Sequence, residues 1–172
     1  MFKAVFQNVD VTHFSSGPGF PFAVKVQLGI GLGQYLRPLM NFIADQVPAK
    51  HLAPANGTLP RYQLQEWLTF IGTELHKSFS PLFNPAVAEE AKGVFRDKLK
   101  ARLQWVDGQL AGKSYLMGDD FCVADAYLYT VSRWCGVMKI DLSSMANLVA
   151  FQHRMLERPA VREALKAEGL LK

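Results

Sequence analysis

The sequence has little cysteine: only Cys122 and Cys135 occur in 172 residues. This excludes the disulfide frameworks of small secreted proteins and predicts free thiols in a cytoplasmic protein. The chain also lacks any run of 18 consecutive apolar residues, which excludes a membrane-spanning helix. The N-terminus has no long apolar stretch after a basic start, so we expect no signal peptide.

Concentrated charge and metal-ligand spacing are missing as well. The net charge of +4 is spread along the chain without a dense Lys/Arg run, which excludes a nucleic-acid arm. The histidines share no ligand spacing with one another or with the cysteines, which argues against a metal site. They are His13, His51, His76 and His153. The stretch "GIGLG" at 29–33 reads G-x-G-x-G and no ribose-binding acid follows it, which argues against a dinucleotide site.

Residues 1–35 differ in character from the rest of the chain. They contain "FSSGPGFPF", which the two glycines and two prolines predict to be a loop, and an alternating stretch at 22–28 that favours a short strand. From Leu36 onward, apolar residues recur at steps of three and four. The sequence therefore predicts an all-α bundle of five or six helices after a short irregular N-terminal segment.

Proline, glycine and apolar spacing set the expected helix limits. Pro60 opens a long helix, Pro81 ends or kinks it, and Gly169 closes the last helix. The segment 122–140 is apolar nearly all round, which predicts the central buried helix. Expected core residues are Trp67, Tyr127, Leu128 and Val131. The expected apolar face of the helix after Pro85 consists of Val87, Ala91, Val94, Phe95, Leu99, Leu103, Val106 and Leu110.

One carboxylate, Asp125, lies within the apolar "FCVADAYLY". It follows Cys122 by three residues, the spacing of a capping box, so we expect Asp125 to accept from backbone N–H groups as a structural cap. A thiol is a weak acceptor, so we expect the half of the box that Cys122 supplies to be impaired. A helix N-terminus also lowers a thiol pKa, which leaves a reactive Cys122 as the alternative to an inert, buried one.

The stretch "YLMGDDFCVADAYLYTVSRW" resembles the start of the core helix in the C-terminal domain of glutathione transferases. "TELHKSFSPLF" and "FQHRMLERPAVREALKAEGLLK" resemble the bacterial beta class in particular. The resemblance covers about residues 39–172 and implies the all-α fold of that domain. It also implies conjugation of the glutathione thiolate to small hydrophobic electrophiles in detoxification, with glutathione as co-substrate, no metal, and a homodimer in the cytoplasm.

The resemblance further implies a set of site residues. His76 assists the thiolate, and the edge of the glutathione site is formed by His76, Lys77 and Arg133. The substrate pocket is lined by Phe79, Phe83, Tyr127 and Trp134. The alternative for each of these residues is ordinary: a surface pair for His76 and Lys77, a surface ion pair for Arg133, and core packing for the aromatic residues.

The N-terminal part departs from the family pattern. The family holds glutathione mainly in a thioredoxin-like domain, whose acid–hydroxyl pair would fall here near Tyr35 and Leu36, and neither residue offers those groups. We therefore expect 1–35 to be an atypical segment, 36–59 a remnant helix and linker, and 60–172 the helical domain. An impaired transferase that binds glutathione no tighter than millimolar and a non-catalytic binding module, or truncated remnant, both remain open.

Overall fold

The computed structural model describes residues 33–171. The predicted strand at 22–28 and nearly all of the atypical segment lie outside the described residues. Between residues 33 and 171 the structure contains helices and no β-strand, in agreement with the predicted all-α class. Within the same range, no helix combines the length and apolar character needed to cross a bilayer.

Six helical rods make up the described part of the chain, which confirms the predicted bundle. The first rod is α1, followed by a short 3₁₀ turn. The second consists of α2, a π-helical stretch and α3, and the fourth consists of α5 and α6 joined at Arg133. The bounds are α1 Gly33–Gln46, the 3₁₀ turn Pro48–Lys50, α2 Leu59–Phe70, the π-helical stretch Ile71–His76, α3 Lys77–Phe83, α4 Glu89–Gln109, α5 Val123–Ser132, α6 Trp134–Val137, α7 Ala146–Glu157 and α8 Pro159–Ala167.

Helix α5 lies at the centre of the bundle, as its apolar sequence predicts. It packs against α1, α2 and the π-helical stretch, and each of its ten residues except Thr130 is buried. Tyr127, Leu128 and Val131 are fully enclosed, as expected. Burial of a large apolar side chain contributes about 1.5–3 kcal/mol, so this helix is a main source of stability.

Three residues that were expected to face the core are less buried than predicted. Val94 is 69% exposed, because it stands one residue, and therefore about 100°, away from Phe95 on the core-facing side of α4. Ala91 is also exposed, in the first turn of that helix. Trp67 is only partly buried, because its ring lies at the edge of the core against Phe70 and Trp105.

Pro81 does not end the second rod. It lies inside α3, which continues to Phe83 and ends where Asn84 becomes extended. Gly169, by contrast, acts as predicted. Its φ of +69° follows α8, and the N–H of Leu170 bonds to the carbonyl of Leu165 at 2.8 Å.

Helix α1 is tied to the bundle by apolar packing and a buried ion pair. Leu36 and Met40 join the common core. Arg61 of α2 is buried, and its Nη2 lies 2.8 Å from Oδ2 of Asp45, while its Nη1 donates to the carbonyl of Pro54. Removal of Asp45 would leave the buried Arg61 charge without its ionic partner, so this pair helps to fix α1 against the bundle.

Asp125 accepts hydrogen bonds from backbone N–H groups at the start of α5. Its Oδ1 accepts from the N–H of Leu116 and its Oδ2 from the N–H of Cys122, both at 2.8 Å. The structure has both halves of the capping box, and the Cys122 sulfur faces the N–H groups of Ala124 and Asp125. The thiol also lies 3.1 Å from Asp125 Oδ2, where it can donate. The cysteine therefore keeps the geometry of the box despite its weak acceptor.

Candidate functional site

A π-helical stretch places the first functional candidate. Ile71–His76 continues α2 with a wider turn, and His76 is its last residue. Ile71 and Leu75 on this stretch are fully buried, while His76 is half-buried beside the central helix. Such wide turns occur often at functional sites, because they re-aim a side chain without ending the helix.

His76 contacts α5 and α6 through its ring. Its Nδ1 lies 2.8 Å from the hydroxyl oxygen of Tyr127. The Tyr127 and Trp134 rings meet the imidazole edge-on, with centroid distances of 5.8 and 4.9 Å. The imidazole is thus held by one hydrogen bond and two ring contacts.

Two phenylalanines from α3 extend this group. Phe79 lies 5.4 Å and Phe83 5.6 Å from Trp134, measured between ring centroids, and both rings meet the indole nearly at right angles. We call His76, Phe79, Phe83, Tyr127 and Trp134 the aromatic cluster. Phe79 and Tyr127 are fully buried, whereas Phe83 is 44% exposed, so the cluster runs from the core to the surface. All four predicted pocket residues and the predicted catalytic histidine therefore meet in one place.

Burial sets the protonation of the pair at the centre of this cluster. It lowers the pKa of His76 below the usual value, which favours the neutral imidazole. It raises the pKa of Tyr127 well above the usual value, which keeps the hydroxyl protonated. The site thus offers neutral hydrogen-bonding groups at pH 7.

The two cationic candidates are neighbours in the chain of two members of the aromatic cluster. Lys77 follows His76 directly and is exposed. Arg133, at the junction of α5 and α6, is half-buried with its guanidinium 5.9 Å from the ring centroid of Tyr129. In the chain, Arg133 directly precedes Trp134, and Lys77 directly follows His76.

Both thiols lie in surroundings that favour their protonated form. Cys122 and Cys135 are both free and buried. Burial raises the pKa of Cys135 to about 12, and burial together with the neighbouring Asp125 carboxylate raises that of Cys122 well above its usual value. Since the thiolate is the reactive form, the geometry favours the inert alternative for Cys122. In the part of the chain that the structure describes, no three His, Cys, Asp or Glu side chains gather as a metal site would require.

The structure also has a concave surface that the sequence did not predict. Trp67, Phe70 and Trp105 bring their rings within 4.7–6.0 Å of one another between α2 and α4. They line a groove of about 340 Å³ whose rim includes Glu66 and Lys113, and Trp105 is 47% exposed. We call this surface the tryptophan groove. The Trp67 and Phe70 spacing hints at a shared face, but the partner ring comes from another helix, so sequence spacing alone could not reveal it.

Part of this helical chain matches the model of a known protein family. Residues 70–159, about half of the chain, match the model of the glutathione S-transferase C-terminal domain. The chain belongs to the glutathione S-transferase family. The matched range includes the cap at Asp125 and every member of the aromatic cluster.

Individual relatives of this chain carry the name of the same family. The glutathione S-transferase GstA of Escherichia coli O157:H7 is 44% identical over 77% of this chain and 66% of its own length. The glutathione S-transferase GST-4.5 of Xanthomonas campestris is 35% identical over 77% of this chain and 68% of its own length. The chain thus spans about two thirds of the length of these curated relatives.

Solved structures show the same fold. BphK, a bacterial glutathione S-transferase solved as a ternary complex, is 53% identical, with a TM-score of 0.76 over 78% of this chain and 67% of its own. A sphingomonad glutathione S-transferase complexed with glutathione is 44% identical, with a TM-score of 0.75 over the same shares. The predicted fold of the glutathione transferase C-terminal type is confirmed.

Proposed function

We propose that this chain supplies the His76 side of a glutathione transferase site, where the glutathione thiolate attacks small hydrophobic electrophiles. The observation that carries the proposal is the aromatic cluster. It joins a neutral imidazole to apolar rings that reach the surface, in a chain of this family. A hydrogen-bond donor beside an apolar wall suits a thiolate and an apolar electrophile together.

The roles divide by position. His76 assists the thiolate, and Lys77 and Arg133 lie where they can meet the carboxylates of glutathione. Phe83 and Trp134 form the accessible wall for the electrophile, while Phe79 and Tyr127 support it from the core. We propose a detoxifying enzyme of bacterial type in the cytoplasm, and the two free thiols support that location.

A conjugation assay tests the proposal. We expect a 172-residue chain to accelerate the reaction of glutathione with a chloronitrobenzene weakly. His76→Ala should lose about tenfold or more of the protein-dependent rate, since one hydrogen bond to a charged group is removed. The exposed His153 provides the matched control, and His153→Ala should keep the full rate. Equal rates in both variants would remove His76 from the reaction.

Calorimetry tests how strongly glutathione is held. Micromolar binding requires about 8 kcal/mol. His76, Lys77 and Arg133 supply charged hydrogen bonds of about 1.5–3 kcal/mol each, from which the cost of association of about 4 kcal/mol or more is subtracted. We expect a millimolar dissociation constant, so a micromolar value would show that the site is not impaired.

A second candidate function is non-catalytic binding, and the tryptophan groove favours it. One half-exposed indole, one partly buried indole and a phenyl ring line this groove, which contains no member of the aromatic cluster. A fluorescent apolar dye should bind there and be displaced when Trp105 is replaced by Ala. Binding that survives Trp105→Ala and Trp67→Ala would exclude the groove. Dye binding without any conjugation would favour this second function over the first.

We also propose the division of the chain and its assembly. The proposed division is an atypical segment at 1–35, most of α1 with its linker at 36–59, and the helical domain at 60–172, with the Arg61–Asp45 pair as the joint between the last two. A homodimer is proposed because of the exposed apolar side chains Leu59 and Tyr62 beside the tryptophan groove on α2. Analytical ultracentrifugation should show a dimer that Tyr62→Glu weakens.

A further inference from the structure

The second helical rod changes its hydrogen-bond step where the π-helical stretch ends. The N–H of Lys77 donates to the carbonyl of Gly72, five residues earlier, whereas α3, which begins at Lys77, is α-helical with steps of four. A helix that returns from steps of five to steps of four has one carbonyl more than N–H groups at the change. Here the single N–H of Ser78 falls to two carbonyls, those of Thr73 and Glu74.

The Ser78 hydroxyl supplies the missing donor. Its Oγ donates to the carbonyl oxygen of Glu74 over 2.7 Å, and both residues are half-buried. In a regular α-helix this bond would be redundant, because the N–H of Ser78 would already serve the Glu74 carbonyl. A carbonyl that is shielded from water and has no donor is costly, so the hydroxyl favours the wide turn over the regular one.

This side-chain bond spans His76, which lies midway between Glu74 and Ser78. Glu74 is held in turn from α4, because its Oε2 lies 3.0 Å from Nε of Arg102. On the inner side of the same turn Leu75 is fully buried. The turn that carries the imidazole is thus closed by a hydroxyl on its own rod and fixed by contacts with α4 and the core.

The contacts of His76 depend on the width of this turn. Each residue of a regular α-helix rotates the next side chain by about 100°, and a wider turn rotates it by less. The imidazole lies 2.8 Å from the Tyr127 hydroxyl oxygen and 4.9 Å, between ring centroids, from Trp134. Contacts at these distances tolerate little rotation, so a change from the wide turn to the regular one would move the imidazole away from both partners.

We propose that Ser78 is a positioning residue of the candidate site, whose hydroxyl closes the wide turn that holds the His76 imidazole against Tyr127 and Trp134. This inference rests on the proposed function for the ligand that His76 meets, the thiolate of glutathione. Ser78 acts on that ligand through His76, because its own hydroxyl hydrogen is directed at the Glu74 carbonyl.

Nuclear magnetic resonance of the unaltered chain tests the wide turn directly. Scalar couplings across hydrogen bonds connect an amide nitrogen to the carbonyl carbon of its acceptor. We expect the nitrogen of Lys77 to couple to the carbonyl carbon of Gly72. A coupling of Lys77 to Thr73 would show a regular α-helix, in which no carbonyl depends on the Ser78 hydroxyl, and would overturn the proposal without any variant.

Deletion of the hydroxyl tests the positioning role. Ser78→Ala should weaken the nuclear Overhauser contacts between the rings of His76 and Trp134, and it should move the His76 ring signals toward those of the exposed His153. Ser78→Thr keeps a hydroxyl on the same carbon and should restore both readouts. The variant His76→Gln identifies the His76 signals. Ring contacts of full strength in Ser78→Ala would overturn the proposal.

Thr69→Val is the matched control on the same rod. The Thr69 hydroxyl also donates to a carbonyl four residues earlier, that of Gln65 at 2.6 Å, but it lies in the α-helical part, where such a bond is redundant. The control also removes the acceptor of Arg37, so it disturbs the rod at least as much. It should leave the His76 contacts unchanged. Equal losses in Thr69→Val and Ser78→Ala would indicate general loosening and overturn the positioning role.

The activity readout separates this inference from the function on which it rests. Ser78→Ala should lower kcat/KM for conjugation several-fold, Ser78→Thr should restore it, and Thr69→Val should not change it. If the unaltered chain shows no conjugation, the proposed function fails, while the ring contacts still decide whether Ser78 positions His76. If conjugation occurs and Ser78→Ala keeps the full rate, the positioning role is wrong even though the function stands.

Discussion

Replacing Asp125 by Ala should destabilise the folded chain strongly, because the carboxylate is buried and accepts hydrogen bonds from buried N–H groups. Asp125 is 0% exposed and accepts from the N–H of Leu116, the N–H of Cys122 and the Cys122 thiol. The alanine variant leaves two buried N–H groups without this acceptor. Each such loss costs about 1–3 kcal/mol, so we expect the free energy of unfolding to fall by about 2–6 kcal/mol.

Urea unfolding followed by circular dichroism at pH 7.5 measures this loss. Asp120→Ala is the matched control, because Asp120 is an exposed aspartate five residues earlier in the same segment. Its effect should remain within about 0.5 kcal/mol, as for most surface substitutions. If Asp125→Ala unfolds at the same urea concentration and with the same slope as the control, the buried carboxylate does not cap the helix.

Two further predictions concern the same cap. Burial raises the pKa of Asp125 from 3.8 to about 6, so between these pH values the folded state holds a proton that the unfolded state has lost. The free energy of unfolding should therefore fall by about 3 kcal/mol as the pH rises through that range. Urea unfolding at a series of pH values should show this fall in the unaltered chain and not in Asp125→Asn. Cys122→Ser replaces a weak acceptor by a good one and should raise the stability by up to about 1 kcal/mol in thermal unfolding, whereas a clear loss would show that the thiol packs better than a hydroxyl does.

The regular features of the fold were predictable from the sequence, because they depend on neighbouring residues. The cap at Asp125 follows from a three-residue spacing, and the buried central helix follows from its apolar composition. The stop at Gly169 follows from the freedom of glycine at positive φ. Val94 shows the limit, since a single position around a helix decides whether a valine lies in the core or in water.

The geometry of the site depends on residues that are distant in the chain. His76 and Tyr127 are 51 residues apart, and no local pattern announces a hydrogen bond between them. The π-helical stretch at Ile71–His76 contains Gly72 and no proline, and its apolar spacing predicts an ordinary helix there. The resemblance to glutathione transferases named side chains that lie together in the structure, whereas the contacts between them required the structure.

The tryptophan groove also depends on residues that are distant in the chain, and the sequence did not predict it. Trp105 stands on the charged side of α4, where the helical pattern predicts a solvent-facing residue, and it is indeed 47% exposed. Only the packing of α2 beside α4 brings its ring to 5.6 Å from that of Trp67. A residue that is unremarkable on its own helix thus becomes part of a concave surface.

The buried carboxylate of Asp125 also bears on the candidate site. Asp125 fixes the start of α5, and Tyr127 follows two residues later on the same helix. Because α5 is rigid and enclosed, the cap determines how far along the bundle the Tyr127 hydroxyl lies, and hence whether it reaches His76 at 2.8 Å. The buried aspartate contacts no member of the aromatic cluster through its carboxylate. Its effect on the aromatic cluster is therefore indirect, through the position of the helix that carries Tyr127.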